Sequence, residues 1–202
     1  MQSARFTTDL DVPLLGELDA EARFRKYPPG YTLKGLFFPR YVARLKEDWD
    51  TVRARLVTPP RFGKYMPFHN YPQVDFSRVA YAAALKSFPR TPPREAVRLA
   101  ARSDFGVFGR SLVGGTVLGM LSDPGSLLLK LSDGFALMLE GGTVKTMRSG
   151  DGVRLEFDQF WGWLDCYVIG ILEGGVQHFG FTPTIEVDLL SQSRAAYEVR
   201  WR

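Results

Sequence analysis

The stretch Thr143-Val144-Lys145-Thr146-Met147-Arg148-Ser149-Gly150-Asp151-Gly152-Val153-Arg154-Leu155-Glu156-Phe157 decides the fold class. Residues 143–147 and 153–157 alternate between apolar and polar, and Ser149-Gly150-Asp151-Gly152 supplies turn chemistry between them, so a β-hairpin is expected. Downstream, residues 182–190 and 195–201 read as a second hairpin. Ala195, Tyr197, Val199 and Trp201 fall on one face of its last strand, the pattern of an antiparallel sheet packed on helices. Between the hairpins, residues 161–176 are apolar throughout and predict a buried helix.

Upstream of the hairpins the period changes to that of helices. Residues 17–25 predict a short helix that Tyr27-Pro28-Pro29-Gly30 ends. Residues 32–38 read as a strand containing Gly35, and Pro39 then suits a first helical turn. Tyr41, Val42, Leu45, Trp49, Val52 and Leu56 recur in steps of three and four, predicting one helix over 41–56. Residues 58–72 carry four prolines and read as a long irregular loop. Asp75 is placed to cap a helix over 76–88, and Pro89, Pro92 and Pro93 separate it from a second helix through Glu95, Ala96, Leu99 and Ala100. Residues 103–121 hold Gly106, Gly109, Gly114, Gly115 and Gly119, which implies close packing, a break, or close approach of a ligand. Asp123-Pro124 opens a further helix through Leu127, Leu128, Leu131, Phe135 and Met138. The expected fold is therefore α+β, with a helix-rich N-terminal two thirds packed on a C-terminal antiparallel sheet made of two hairpins. Residues 1–30 read as an N-terminal extension and 31–202 as a single domain.

Composition narrows the functional classes. The chain has 202 residues, 45% of them hydrophobic and 13% aromatic, enough for a bulky core or an apolar pocket. A net charge of +4 is spread from Arg5 to Arg202 among interleaved acids, the pattern of a solvated surface, and no nucleic-acid partner is expected. Cys166 is the single cysteine, so no disulfide closes within the chain and a reducing, cytoplasmic compartment is expected. The N-terminus has no apolar secretory core. The most apolar windows, 107–121 and 161–176, are Gly-rich and fall short of the ~20 residues that span a bilayer, so both predict buried helices rather than a membrane span.

Catalytic and metal chemistry is hard to place on this sequence. No Gly-rich loop ends in Lys-Ser/Thr, and Ser111 in Gly109-Arg110-Ser111-Leu112-Val113 is not a nucleophile elbow. His69, His178 and Cys166 are too few and too scattered for a zinc site. His178 ends the apolar 161–176 helix, where a helix C-terminus favours an imidazole; a single histidine can also ligate haem iron from one side. Cys166 reads as a buried, inert thiol. An enzyme would have to combine His69 or His178 with Asp165 or Glu173, so the expectation is a protein without a catalytic site, metal or cofactor. Three other features are candidates for binding. Arg94, Arg98 and Arg102 stand at i, i+4 and i+8 on one helix face, either a solvated face or a patch for an anion or partner. Phe105, Phe108, Phe135, Trp161 and Trp163 are the candidate lining of an apolar ligand pocket. Lys64, Tyr65, His69, Asn70 and Tyr71 read as an Ω-type loop or a polar site.

Several segments appear in an order that resembles a paralogous family of unknown function expanded in myxobacteria. They are Lys34-Gly35-Leu36-Phe37, Tyr71-Pro72 with Asp75-Phe76, Phe88-Pro89 before Arg94-Glu95-Ala96, Phe105-Gly106-Val107-Phe108-Gly109-Arg110, Gly170-Ile171-Leu172-Glu173-Gly174 and Tyr197-Glu198-Val199-Arg200-Trp201. The resemblance runs from about residue 30 to the end and brings no catalytic residues with it. The C-terminal portion also looks like the broad superfamily of haem-nitric-oxide-binding, four-vinyl-reductase and TRAPP-type domains. That likeness implies a cavity between helices and sheet, used for haem, small hydrophobic molecules or acyl chains, or as an assembly surface. The chain departs from the metal-binding members in lacking cysteine clusters, and His178 does not align with a haem ligand. The expected function is a non-enzymatic small-ligand-binding or signalling module with an apolar pocket for a small hydrophobic ligand. The alternative is a protein-interaction or scaffold domain acting as a homodimer.

Overall fold

The computed structural model describes residues 3–110 and 119–202, with all their side chains except those of Phe62 and residues 106–110. Its centre is a five-stranded antiparallel sheet in the order β1 (Ala4–Asp9), β7 (Pro183–Leu189), β8 (Ala195–Trp201), β6 (Gly152–Asp158), β5 (Thr143–Ser149). The two expected hairpins are its β5–β6 and β7–β8 pairs. Register places Phe6, Val187, Tyr197, Leu155 and Thr146 in one row across the sheet, and Thr8, Ile185, Val199, Val153 and Arg148 in the next. Because side chains alternate along a strand, these rows share the face turned to the helices. Val153, Leu155, Ile185, Val187, Tyr197 and Val199 on that face are fully buried, each apolar side chain contributing about 1.5–3 kcal/mol of burial. The Tyr197 hydroxyl keeps a partner there, donating to the Leu164 carbonyl at 2.6 Å.

The segment 1–30, expected as an extension, supplies β1 as an edge strand of this sheet and α1 (Ala20–Phe24), whose N-cap Asp19 accepts the Ala22 amide at 2.9 Å. Helix α7 (Tyr167–His178) lies against the inner face of the sheet through Ile169, Leu172 and Val176. Helix α5 (Pro93–Arg110) packs on α7, and α6 (Pro124–Met138) packs against β5 and β6. The sequence marks the start of α6 clearly: Asp123 accepts the Ser126 amide at 3.0 Å, and Pro124 follows in the first turn.

A second layer lies at the other side of α5. Helix α4 (Gln73–Ser87) joins α2 (Pro39–Leu45) and a three-stranded sheet of β3 (Asn70–Pro72), β2 (Thr32–Lys34) and β4 (Leu139–Glu140). Its core is aromatic, with Phe38 stacked on Tyr65 at 4.0 Å between ring centroids and Phe76 edge-on to both Phe38 and Tyr41.

Five local expectations change. The 41–56 helix is two pieces, α2 and α3 (Trp49–Arg53), joined by a 3-10 turn at Lys46–Asp48. Lys86 Nζ takes the Leu45 carbonyl at 2.7 Å and pairs with Glu47 and Asp48, and Lys46 turns to φ +49°. The 32–38 strand stops at Lys34, because the Gly35 and Leu36 amides turn to the carbonyls of His69 and Pro67. The 58–72 loop carries a 3-10 turn at Arg61–Gly63 and ends in β3. Asp75 does not cap α4, which begins at Gln73; its carboxylate instead accepts the Val57 and Thr58 amides at 2.8 Å each. Residues 161–166 are not helical: Trp163 adopts φ +55° and α7 starts after Cys166. Of the expected 107–121 helix, 107–110 form the end of α5 and Gly119 is helical, while 111–118 lie outside the described residues.

Candidate functional site

The sequence puts Arg94, Arg98 and Arg102 on one face of α5, and the fold turns that face inward. Arg98 is fully buried. Its Nε donates to both carboxylate oxygens of Glu173 on α7, at 3.0 and 2.9 Å. Its Nη1 reaches the Val12 carbonyl at 2.6 Å and Glu95 at 3.1 Å, and its Nη2 reaches the Asp9 carbonyl and Glu173. Glu95 in turn accepts the Leu14 amide at 2.7 Å. One guanidinium therefore ties α7 to the segment that leads out of β1. Burial pushes the Glu173 carboxyl upward, against the pull of Arg98 and Arg102.

The flanking arginines extend this spine in both directions. Arg94 donates to the Leu15 carbonyl at 2.8 Å and pairs with Asp165 at 3.3 Å. Arg23 of α1 holds the same Asp165 through two parallel bonds of 2.6 and 2.7 Å. Burial works to raise Asp165, but Arg23 and Arg94 outweigh it, so its carboxyl sits below the ordinary range. Arg102 stands 3.7 Å from Glu173 and is partly open to solvent. A separate hub ties α5 to α2, where buried Asp104 accepts Arg44 at 2.8 Å and its carbonyl accepts Arg40 at 2.7 Å. The expected anion patch thus faces anions of its own chain, and neither the solvated face nor an open cationic stripe describes it.

Each outer arginine opens onto a surface groove. One groove, of about 660 Å³, has Phe88 and Leu99 as its apolar wall, Gly174 as its floor, and Arg102, Ser103, Gln177 and His178 as its polar rim. The other, of about 470 Å³, runs between β1 with its following segment and the Arg23–Asp165–Arg94 triad. The spine through Arg98 and Glu173 connects the two.

Among the described residues, the predicted pocket aromatics do not converge. Phe105 packs with Leu127 and faces the His178 ring at 6.1 Å. Phe135 meets Phe157 and Phe160 over the sheet. Trp163 is held between Phe24 at 5.7 Å and Tyr81 at 5.5 Å, while Trp161 lies beside Tyr27 at 6.0 Å. The Phe108 side chain lies outside the described residues. Cys166 is wholly buried, and burial pushes its thiol well above the ordinary range. In the loop Tyr65 and Tyr71 are core residues, Asn70 donates to Glu140 at 2.7 Å, and Lys64 and His69 are exposed. The functional feature that the sequence reading missed is the Arg98–Glu173 pair; the signal was a Glu inside an apolar helix together with an arginine at the centre of a three-arginine stripe.

The fold is similar to that of H-NOX domains. An H-NOX protein from S. oneidensis in the Fe(II)NO ligation state is 15% identical with a TM-score of 0.64, over 84% of this chain and 99% of that one. An Fe(II) unliganded H-NOX protein from K. algicida is 12% identical with a TM-score of 0.64, over 84% and 97%. At this identity the likeness defines an α+β H-NOX-like fold. Within that class, the chain belongs to the DUF2378 family, described as a protein of unknown function, which matches residues 26–202. No curated protein is similar enough in sequence to match the chain.

The fold class raises the question of haem, and the described residues do not fit it. Both histidines are exposed, His69 on the 58–72 loop and His178 at the end of α7. The space between α7 and the sheet is filled by Ile169, Leu172 and Val176 against Leu155, Val187 and Tyr197. Among the described residues, no three His, Cys, Asp or Glu stand together as a metal site, and no helix is long and apolar enough to cross a membrane.

Proposed function

We propose that this chain is a non-enzymatic, cytoplasmic ligand-responsive regulatory module that uses an H-NOX-like frame without haem. Its ligand is a small molecule with an apolar body for Phe88 and Leu99 and an acidic group for Arg102. One observation carries this reading: Arg102 lines the groove and also pairs with Glu173, whose other partner, Arg98, holds the segment after β1. A ligand that draws Arg102 away from Glu173 changes the charge balance around Arg98 and is felt at the sheet edge, some distance from the groove. The buried acids near the groove are engaged by arginines, which favours a binding role over acid–base chemistry.

Native and denaturing mass spectrometry of the freshly purified chain, with its absorption spectrum, tests this. The expected result is an extra mass that is lost on denaturation and absent from Arg102→Ala, with no Soret band. A Soret band would overturn the haem-free reading. A bare chain at dimer mass would favour the scaffold alternative, for which Leu137 on α6 and Met147 on the edge strand β5 are exposed apolar contacts.

A further inference from the structure

Residues 51–74 contain Arg53, Arg55, Arg61 and Lys64 and no Asp or Glu. These four cations equal the whole excess of 26 basic over 22 acidic residues, so the rest of the chain is formally neutral. Arg55 meets Glu21 at 3.6 Å across an exposed surface, while Arg53, Arg61 and Lys64 make no ion pair among the described residues. The same loop exposes Val57, Met66 and Phe68, which are 67%, 63% and 80% accessible. Single exposed apolar residues are ordinary, but three of them in one acid-free basic loop are not.

This exposure is held by the fold. Asp75 fixes the Val57 and Thr58 amides at one end of the loop. At the other end, the carbonyls of Pro67 and His69 accept the amides of Leu36 and Gly35, and the Tyr71 hydroxyl accepts the Met66 amide at 3.1 Å. Both ends are thereby tied to the corner where β2, β3 and the first turn of α4 meet. Tyr65, in the middle of the loop, is sunk into the aromatic core against Phe38. The loop is rooted by its tyrosines and presents Val57, Met66 and Phe68 to solvent.

We propose that this loop is a docking surface for an anionic lipid bilayer, with Phe68, Met66 and Val57 entering the interface and Arg53, Arg61 and Lys64 meeting the headgroups. The chemistry matches a peripheral membrane surface: apolar area partitions into the interface, and each nearby cation adds attraction to an acidic leaflet. A single-stranded nucleic acid fits less well, because base stacking needs π faces. Phe68 and His69 present exposed rings, but Val57 and Met66 have no π face and the rings of Tyr65 and Tyr71 are buried.

The test is co-sedimentation of the full chain with phosphatidylcholine vesicles, with and without phosphatidylglycerol. Binding is expected only to the acidic vesicles and is expected to weaken as salt rises. Phe68→Ser should weaken it by about tenfold or more. Arg61→Gln and Lys64→Gln should each weaken it by about fivefold. All three side chains are exposed, so an unchanged thermal midpoint confirms that the fold is kept. No sedimentation with acidic vesicles overturns the proposal, and so does full retention by Phe68→Ser, which would reduce the contact to charge alone. Capture of oligothymidylate without vesicle binding would overturn it in favour of nucleic acid.

Discussion

Arg98 on α5 and Glu173 on α7 face each other with both side chains sealed from solvent, and they meet because two glycines let the helices close. A Cβ on Gly174 would stand 2.6 Å from the Arg102 carbonyl, and one on Gly170 would collide with the Arg98 carbonyl. The glycine spacing of α7 and the arginine spacing of α5 are thus two halves of one contact. Small residues bring the backbones together, and the ion pair fixes which turns face each other.

Glu173→Ala leaves the Arg98 guanidinium buried without its carboxylate. Breaking one side of such a pair costs about 3–5 kcal/mol, which urea unfolding followed by tryptophan fluorescence will read. Because Arg98 also holds the Asp9 and Val12 carbonyls, amide exchange should accelerate in β1 before it does in β8. An unchanged urea midpoint would show that the pair is not closed in solution.

Gly174→Ala forces α7 away from α5 and should cost about 1–3 kcal/mol through overpacking. Gly134→Ala is the opposite case. On α6 an added Cβ meets nothing within 4 Å, so the variant should gain roughly 0.5–1 kcal/mol from helix propensity. Thermal unfolding of the two variants should therefore move in opposite directions.

Asp123 caps α6 through the Ser126 amide and hydroxyl, and these bonds lower its carboxyl from the ordinary 3.8 to about 2. A folded value below the unfolded one means that its stabilisation is full above the unfolded value and is lost as pH falls through the folded one. The window therefore runs from 3.8 down to about 2. Asp123→Ala should cost about 1 kcal/mol at neutral pH. The gap between wild type and this variant should close across that acid window in denaturation curves taken at successive pH values.

Cys166 should resist a soluble disulfide reagent in the native protein, since its thiol is buried and its thiolate is disfavoured. Labelling is expected only through global opening, with a rate that rises with urea in step with unfolding. Rapid labelling in buffer alone would show local opening of the 161–166 turn.

The aromatic pocket proved illegible in the sequence. Phe105, Phe135, Trp161 and Trp163 share a residue type and a region of sequence, yet neighbouring residues on different elements diverge in space. Trp161 and Trp163 are two apart, but the positive φ at Trp163 sends them to different partners. The hairpins were legible because strand alternation and turn chemistry are local properties, as was the Asp123-Pro124 start of α6. The break at Lys46 was not, because the group that claims the Leu45 carbonyl is Lys86, far along the chain.

By itself the sequence determined the α+β class, the two hairpins, the helix after Asp123-Pro124 and the burial of Cys166. Each follows from periodicity, capping or composition over a few neighbouring residues. Only the tertiary structure decided that residues 4–9 complete the sheet, that the arginine stripe faces Glu173, Glu95 and Asp165, and that the acid-free loop is pinned open by Asp75. Those outcomes depend on partners many residues away, and a charge pattern on one helix cannot specify whether water or a buried carboxylate will meet it.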